Sequence, residues 1–342
     1  MVIHVNFAAL LVLATLPLAA QTTPASIPIW NSVQTPAQNL LGQGWGVDHV
    51  GVGVRDLAKA QHEYEGLGFK VSKGGHFPGG LSNCIVRFQN NSYLELLSVS
   101  GAQLGGASDI AEFAKKHEGA MFLGINVSSA KAAGDYLKNH NFDAADPEPG
   151  SIMTNGETKS PPPQWYTVDT ADKPAAGKEG FTIPIFFIEY LSKDRMEKTR
   201  AEGWMDHPNT AMSIHSVWFA VHNVETQLRT LRDAGLEIGE SRTAEFLGAR
   251  GREVKAGHGG LVLLESGDKK GLLAEYLADH DEGIIALSVE VSDLGKARRL
   301  AESSTGSTLD TYKGFYGLSF LLPPTVTHGV WIEMFQTVEH PQ

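Results

Sequence analysis

Two histidines and four glutamates carry most of the chemistry this chain could perform. His49 stands in VDHVGVGV and His215 in SIHSVWFAV, and each lies five residues ahead of a small or apolar residue near the end of its run, Val54 or Ala220. Glu95 (YLELL), Glu189 (FFIEYL), Glu265 (VLLES) and Glu333 (WIEMF) each sit within an apolar run. A carboxylate with such neighbours is costly to bury unless it is paired or bound to a metal. Imidazole nitrogen and carboxylate oxygen together suit a divalent metal such as Zn, Mn, Fe, Co or Ni. His76 and Asn83 flank a glycine-rich turn and are candidate substrate contacts.

Other chemistries lack their motifs. The chain has no G-x-S-x-G elbow, Walker loop, H-E-x-x-H pair or G-x-G-x-x-G after a strand. Cys84 is the single cysteine, so neither an intramolecular disulfide nor a thiolate metal cluster can form, and its strand-like context SNCIVRF reads as an inert core position. The net charge of −11 argues against a nucleic-acid partner.

The elements that must position these residues recur four times. Each copy opens with a β-rich strand, passes a capping residue into an amphipathic helix, and continues into strands of which the last bears the glutamate. The copies start at VDHVGVGV, MFLGINV, SIHSVWFAV and IIALSVEV. In the first, Asp56 is the expected N-cap and Asn90-Asn91 a hairpin turn. The pattern predicts an α+β fold of four βαβββ modules, with paired sheets wrapped around a pocket. A Pro-, Gly- and Ser-rich stretch from Asp146 to Gly180 reads as an insertion over one face. The expected divisions are a signal peptide (1–20), an N-terminal extension (21–44), a first domain (45–192), a charged linker (193–211) and a second domain (212–337). The apolar run Phe7 to Ala20 is too short to span a bilayer and is followed by a polar stretch. It predicts a secreted or periplasmic protein with no membrane partner after cleavage.

The first strand D-H-V-x-V-x-V, the helix opened by Asp56, and the segment GGHFPGGLSNCIVRFQNNSYLELLSV resemble the glyoxalase-like branch of the vicinal oxygen chelate superfamily, which includes glyoxalase I and the extradiol dioxygenases. HPNTA at His207 to Ala211 resembles the motif opening that branch's second half, and the likeness covers most of Trp45 to Thr337. It implies that the four modules pair into two incomplete β-barrel domains, each pair closing around one divalent metal with ligands from first and last strands. Carried over, the ligands are His49, Glu95, Glu189, His215, Glu265 and Glu333, with Glu95, Glu189 and Glu333 as candidate catalytic carboxylates. At the first-strand ligand place copy two has Phe122 and copy four Ile285. Sequential pairing of copies would bring Glu189 to His49, a crossed pairing would bring Glu333, and a pairing of copies one and three would join both histidines. The resemblance further implies a metal-assisted lyase or isomerase on a small oxygen-chelating substrate, the metal acting as a Lewis acid. The alternatives are a non-catalytic small-molecule binding protein of the resistance type, or an extradiol-type dioxygenase. A monomer with tandem domains and no partner beyond a small molecule is expected.

Overall fold

The computed structural model describes residues 39–100, 106–153, 161–171, 173–192, 194–267 and 271–337. The expected signal segment, and the extension before residue 39, lie outside the described residues. In the first half the strands are β1 (Gly46–Gly53), β2 (Ser72–His76), β3 (Leu81–Arg87), β4 (Tyr93–Val99), β5 (Gly119–Asn126), β6 (Glu148–Gly150), β7 (Trp165–Val168) and β8 (Ile185–Tyr190). In the second they are β9 (Ala211–Ala220), β10 (Glu237–Ala244), β11 (Ala249–Ala256), β12 (Gly259–Ser266), β13 (Gly283–Val291), β14 (Thr311–Lys313), β15 (Gly317–Leu322) and β16 (Trp331–Thr337). The helices are α1 (Leu57–Gly66), α2 (Gly106–Lys116), α3 (Ala130–Asn139), α4 (Asp194–Ala201), α5 (Val224–Asp233), α6 (Leu272–His280) and α7 (Leu294–Thr305).

Two curled sheets result, ordered β2-β3-β4-β1-β5-β8-β7-β6 and β10-β11-β12-β9-β13-β16-β15-β14. Copies one and two share the first sheet and copies three and four the second, so the modules pair sequentially. In every module the first and last strands run parallel: β1 with β4, β5 with β8, β9 with β12, β13 with β16. A right-handed helical crossover is the ordinary way to connect strands in that relation. Each crossover helix starts alike, with Asp56, Ser129, Asn223 or Asp293 accepting the backbone N–H three residues on. Such caps satisfy a helix-end donor and contribute about 1 kcal/mol apiece.

The stretch expected as an insertion instead supplies strands. β6 and β7 form an antiparallel pair, and Met153 just beyond β6 bridges to His76 at the opposite edge of the sheet, with N–H to O distances of 2.8 and 3.0 Å. This bridge helps the first sheet curl onto itself around a cleft. One large core runs through both halves and holds the buried faces of α1, α3, α5 and α7. A smaller apolar group on the first sheet, including Phe77, Leu97, Phe122 and Phe186, forms a separate packing layer.

Candidate functional site

The parallel register shows which residues correspond between modules. Leu97, Ile188, Leu264 and Phe335 each lie opposite the same point of their first strand, facing Gly53, Asn126, Ala220 and Glu290. The N–H groups of Val54, Val127 and Val221 bond back to the first three of those carbonyls. Counting two residues back from that point gives Glu95, Phe186, Val262 and Glu333. Counting one forward gives Ser98, Glu189, Glu265 and Gln336. The four glutamates therefore form two sets, not one.

Glu189, Glu265 and Gln336 do one job. Their side-chain oxygens accept the first backbone N–H of α3 (Ala130, 2.8 Å), α5 (Val224, 3.1 Å) and α7 (Leu294, 3.1 Å). A carboxylate there meets unsatisfied donors and the positive end of the helix dipole. This disposes of the expectation that Glu189 and Glu265 point at a metal, because an odd separation from the Glu95 place puts them on the opposite face of the strand. Arg250 adds a 3.5 Å ion pair to Glu265.

The two histidines also fail to correspond. The residue matching His49 on β9 is Ser216, because His49 lies opposite Tyr93 and Ser216 opposite the equivalent Gly260. His215 is one residue earlier, where the β9–β13 register slips, and Asp48 occupies the same extra position in the β1–β5 pairing. His215 thus matches Asp48 of the first half, and rests its ring against Tyr316 and Phe335 at 4.2 and 5.4 Å. Burial pushes it toward the neutral form. At the first-strand place copy two has Phe122, as expected, and copy four has Ala286, not Ile285.

What remains together is His49 and Glu95, inside a cleft of the first sheet of about 460 Å³, partly open to solvent. Both side chains are almost wholly buried. His49 Nδ1 lies 2.6 Å from Asp48 Oδ1. A carboxylate only accepts, so this nitrogen carries the proton and Nε2 faces the cleft. Tyr190 donates its hydroxyl to the same Asp48 oxygen at 2.8 Å, which leaves Tyr93 to donate to Tyr190 at 2.9 Å. The Tyr93 ring also stacks on His49 at 4.6 Å. Gly124 makes room on β5: a Cβ there would lie 2.5 Å from the imidazole. Glu95 Oε2 is 3.7 Å from His49 Nε2, while Oε1 accepts from Asn83 Nδ2 at 2.5 Å. Asn83 is held in turn by the N–H of Gly75 at 2.8 Å.

Of the candidate substrate contacts, Asn83 lines the cleft, whereas His76 is exposed and bonds Ser82 Oγ at 2.9 Å. Asp48, Tyr93, Tyr190, Phe186 and Trp165 complete the site without having been foreseen. Asp48 was visible as the acid beside His49, and Tyr190 as the residue after a candidate glutamate. Trp165 could not be read, since it comes from the stretch taken for an insertion. Cys84 is buried and its thiol is pushed up to about 12 by that burial, in keeping with an inert core position.

The remaining glutamate, Glu333, is fully buried in the second sheet. Its oxygens accept from Ser288 Oγ at 2.7 Å and Tyr312 hydroxyl at 2.8 Å. Burial still raises its pKa, and the hydroxyls oppose that rise.

A divalent metal fits this arrangement poorly. His49 and Glu95 could supply two donors, but the corresponding places on β5 and β8 hold Phe122 and Phe186. Among the described residues no group of three or more His, Cys, Asp or Glu side chains is placed to share one ion.

A glyoxalase-like domain model matches residues 47–234, 188 of the 342 residues. The chain belongs to the glyoxalase-like domain family. The match covers copies one and two and the opening of copy three, and so includes the whole His49 cleft. Among solved structures, this family member is similar to a hypothetical protein from Staphylococcus aureus, with TM-score 0.55 at 12% identity over 85% of this chain and 98% of the other. It is equally similar to a 4-hydroxymandelate synthase mutant from Streptomyces coelicolor, with TM-score 0.55 at 12% identity over 86% and 92%. A methylmalonyl-CoA epimerase from Mycobacterium tuberculosis matches at 20% identity over 38% of this chain and 90% of its own, with TM-score 0.35. At such identities the likeness is one of fold, the vicinal oxygen chelate fold. Among curated protein sequences none matches this chain.

Proposed function

We propose that the first barrel binds a small molecule and moves a proton on it, in a lyase- or isomerase-type reaction. The observation that carries this reading is the hydrogen-bonded line Tyr190–Asp48–His49 ending at Nε2, with Glu95 3.7 Å beyond it in a buried, aromatic cleft. Asp48 fixes the tautomer and orientation of the imidazole, as a buried acid does for a catalytic histidine elsewhere. His49 Nε2 would take a proton from a carbon made acidic by an adjacent carbonyl or iminium. The C–H electron pair would pass into a new C=C bond and onto the oxygen or nitrogen. Where the substrate carries a β,γ double bond, return of the proton from the imidazolium to the γ carbon would shift that bond into conjugation and regenerate the double bond to oxygen or nitrogen in the isomer. Glu95, steadied by Asn83, stands as a second proton acceptor. Among the described residues only His49 and Glu95 could offer a divalent ion donors here, so none of these steps is routed through one.

Solvent-deuterium incorporation into a panel of small cyclic ketones, lactams and iminium compounds, followed by mass spectrometry, tests this. Exchange that falls by about 10²–10⁴ in His49→Gln supports it, that being the usual contribution of a general base. A second reading, ligand sequestration without chemistry, is favoured by Phe122 and Phe186 standing where ligand-bearing modules would carry donors. Panel members that bind without exchange would establish that reading instead. Export after cleavage near Gln21 is part of the proposal, and intact-mass analysis of exported protein retaining Met1 would remove it.

A further inference from the structure

The cleft that would move the proton also has a definite charge preference. Its wall contains the carboxylate of Glu95, with that of Asp48 directly behind His49, and among the described residues lining it there is neither lysine nor arginine. The Asp48 Oδ2 atom is buried without a hydrogen bond from the described residues. The rest of the wall is largely ring: Phe77, Tyr93, Trp165, Phe186 and Tyr190. The Arg87 guanidinium stands over the Tyr93 ring, 4.9 Å from its centroid, and is not among the residues lining the cleft.

One feature narrows the ligand further. Because Nδ1–H donates to Asp48, a neutral His49 turns the lone pair of Nε2 toward Glu95 Oε2, also an acceptor, 3.7 Å away. Two acceptors facing one another across that gap attract a hydrogen donor that can serve both. Aromatic faces around it favour a planar body and a positive charge. An anion would instead meet two carboxylates, with no cation among the described lining residues to offset them.

Resting on the small-molecule reading above, the geometry points to a planar nitrogen-bearing ligand, cationic in its preferred form, whose N–H groups donate to both His49 Nε2 and Glu95 Oε2 from beside the 3.7 Å gap. The same wall disfavours a carboxylate or phosphate head group.

Calorimetric titration of the full chain with benzamidine, benzamide and benzoate tests this, since the three share one planar skeleton and differ in head-group charge. Benzamidine should bind about tenfold or more tightly than benzamide, as a charge-assisted hydrogen bond exceeds a neutral one, and benzoate should be the weakest. Glu95→Gln keeps the Asn83 contact but removes the charge, and should bring benzamidine to within about threefold of benzamide. Benzoate binding as tightly as benzamidine, an unchanged preference in Glu95→Gln, or binding by none of the three would overturn the proposal. If that variant does not fold, the wild-type order alone decides. Deuterium exchange into uncharged ketones is read independently, so failure of this order does not remove the proton-transfer reading, nor the reverse.

Discussion

His207 should make the protein acid-sensitive by an amount the structure allows to be worked out. It sits in the segment between the two sheets, packed against Phe69 and Phe88 at 5.8 and 5.3 Å. Its Nδ1 accepts the Lys70 N–H at 2.9 Å, and its Nε2–H donates to the Arg87 carbonyl at 2.8 Å. A second proton on Nδ1 would confront the Lys70 N–H and would have to enter a desolvated position. Burial, the largest cause, therefore pushes the pKa down to about 4 from 6.5. The folded value lies below the unfolded one, so folding favours the neutral ring. This contribution is complete above about pH 6.5 and is lost as pH falls toward 4. The interval of about 2.5 pH units, at about 1.4 kcal/mol each, amounts to about 3.5 kcal/mol in full, of which about 3 kcal/mol is lost by pH 4. Urea denaturation followed by tryptophan fluorescence at pH 7 and pH 4 reads it, with His207→Gln as reference so that other titrating groups cancel. The wild type should lose about 3 kcal/mol more than the variant between those pH values. Parallel losses in the two proteins would refute the reasoning.

Two further substitutions separate the cleft from its surroundings. Gly124→Ala puts a methyl group 2.5 Å from the His49 ring, so it should lower stability by about 1–3 kcal/mol and weaken benzamidine binding at least about tenfold. Unchanged melting temperature and affinity would show that the ring has room to move. Glu189→Ala and Glu265→Ala each remove an acceptor at a helix start, so each should cost about 1 kcal/mol in denaturation while leaving benzamidine affinity within about twofold. A large loss of affinity in Glu189→Ala would return that residue to the cleft.

Much of the architecture was legible because it rests on local chemistry. Four cap residues, four β-rich openings and four apolar closing strands are visible as a repeat, and Asp56 caps α1 as its type and position suggested. What misled was a single residue of phase. His49 and His215 were aligned on Val54 and Ala220, but the backbone aligns Val54 with Val221. A strand has period two, so that slip exchanges one face for the other. The bulges at Asp48 and His215, which permit the slip, leave no mark in the residue types. Glu189 and Glu265 share their apolar setting with Glu95, and their real partners, the first amides of α3 and α5, lie about 60 and 40 residues away in sequence. Composition concealed β6 and β7 as well, since Pro161 to Pro163 between them suggest a loop.

The same register explains why the described cleft belongs to one half of a duplicated chain. Gly51 and Gly124 lie opposite Glu95 and Phe186, and their counterparts in the second sheet are Trp218 and Ser288, opposite Val262 and Glu333. Two glycines leave space on the first sheet into which the rings of Phe122 and His49 fold, beneath the open cleft. In the second sheet an indole occupies the equivalent ground and packs against Phe315 at 4.5 Å. Its N–H donates to Ser216 and Ser288 at 3.0 Å each, and the Ser288 hydroxyl donates in turn to Glu333. Glu333 thus keeps the position of Glu95 but spends its acceptors on hydroxyls of its own barrel. A buried carboxylate satisfied in that way has no lone pair directed at a ligand, while Glu95 holds one oxygen on Asn83 and keeps the other facing His49. The tryptophan at the place of Gly51 therefore fills ground in the second sheet that the first leaves open.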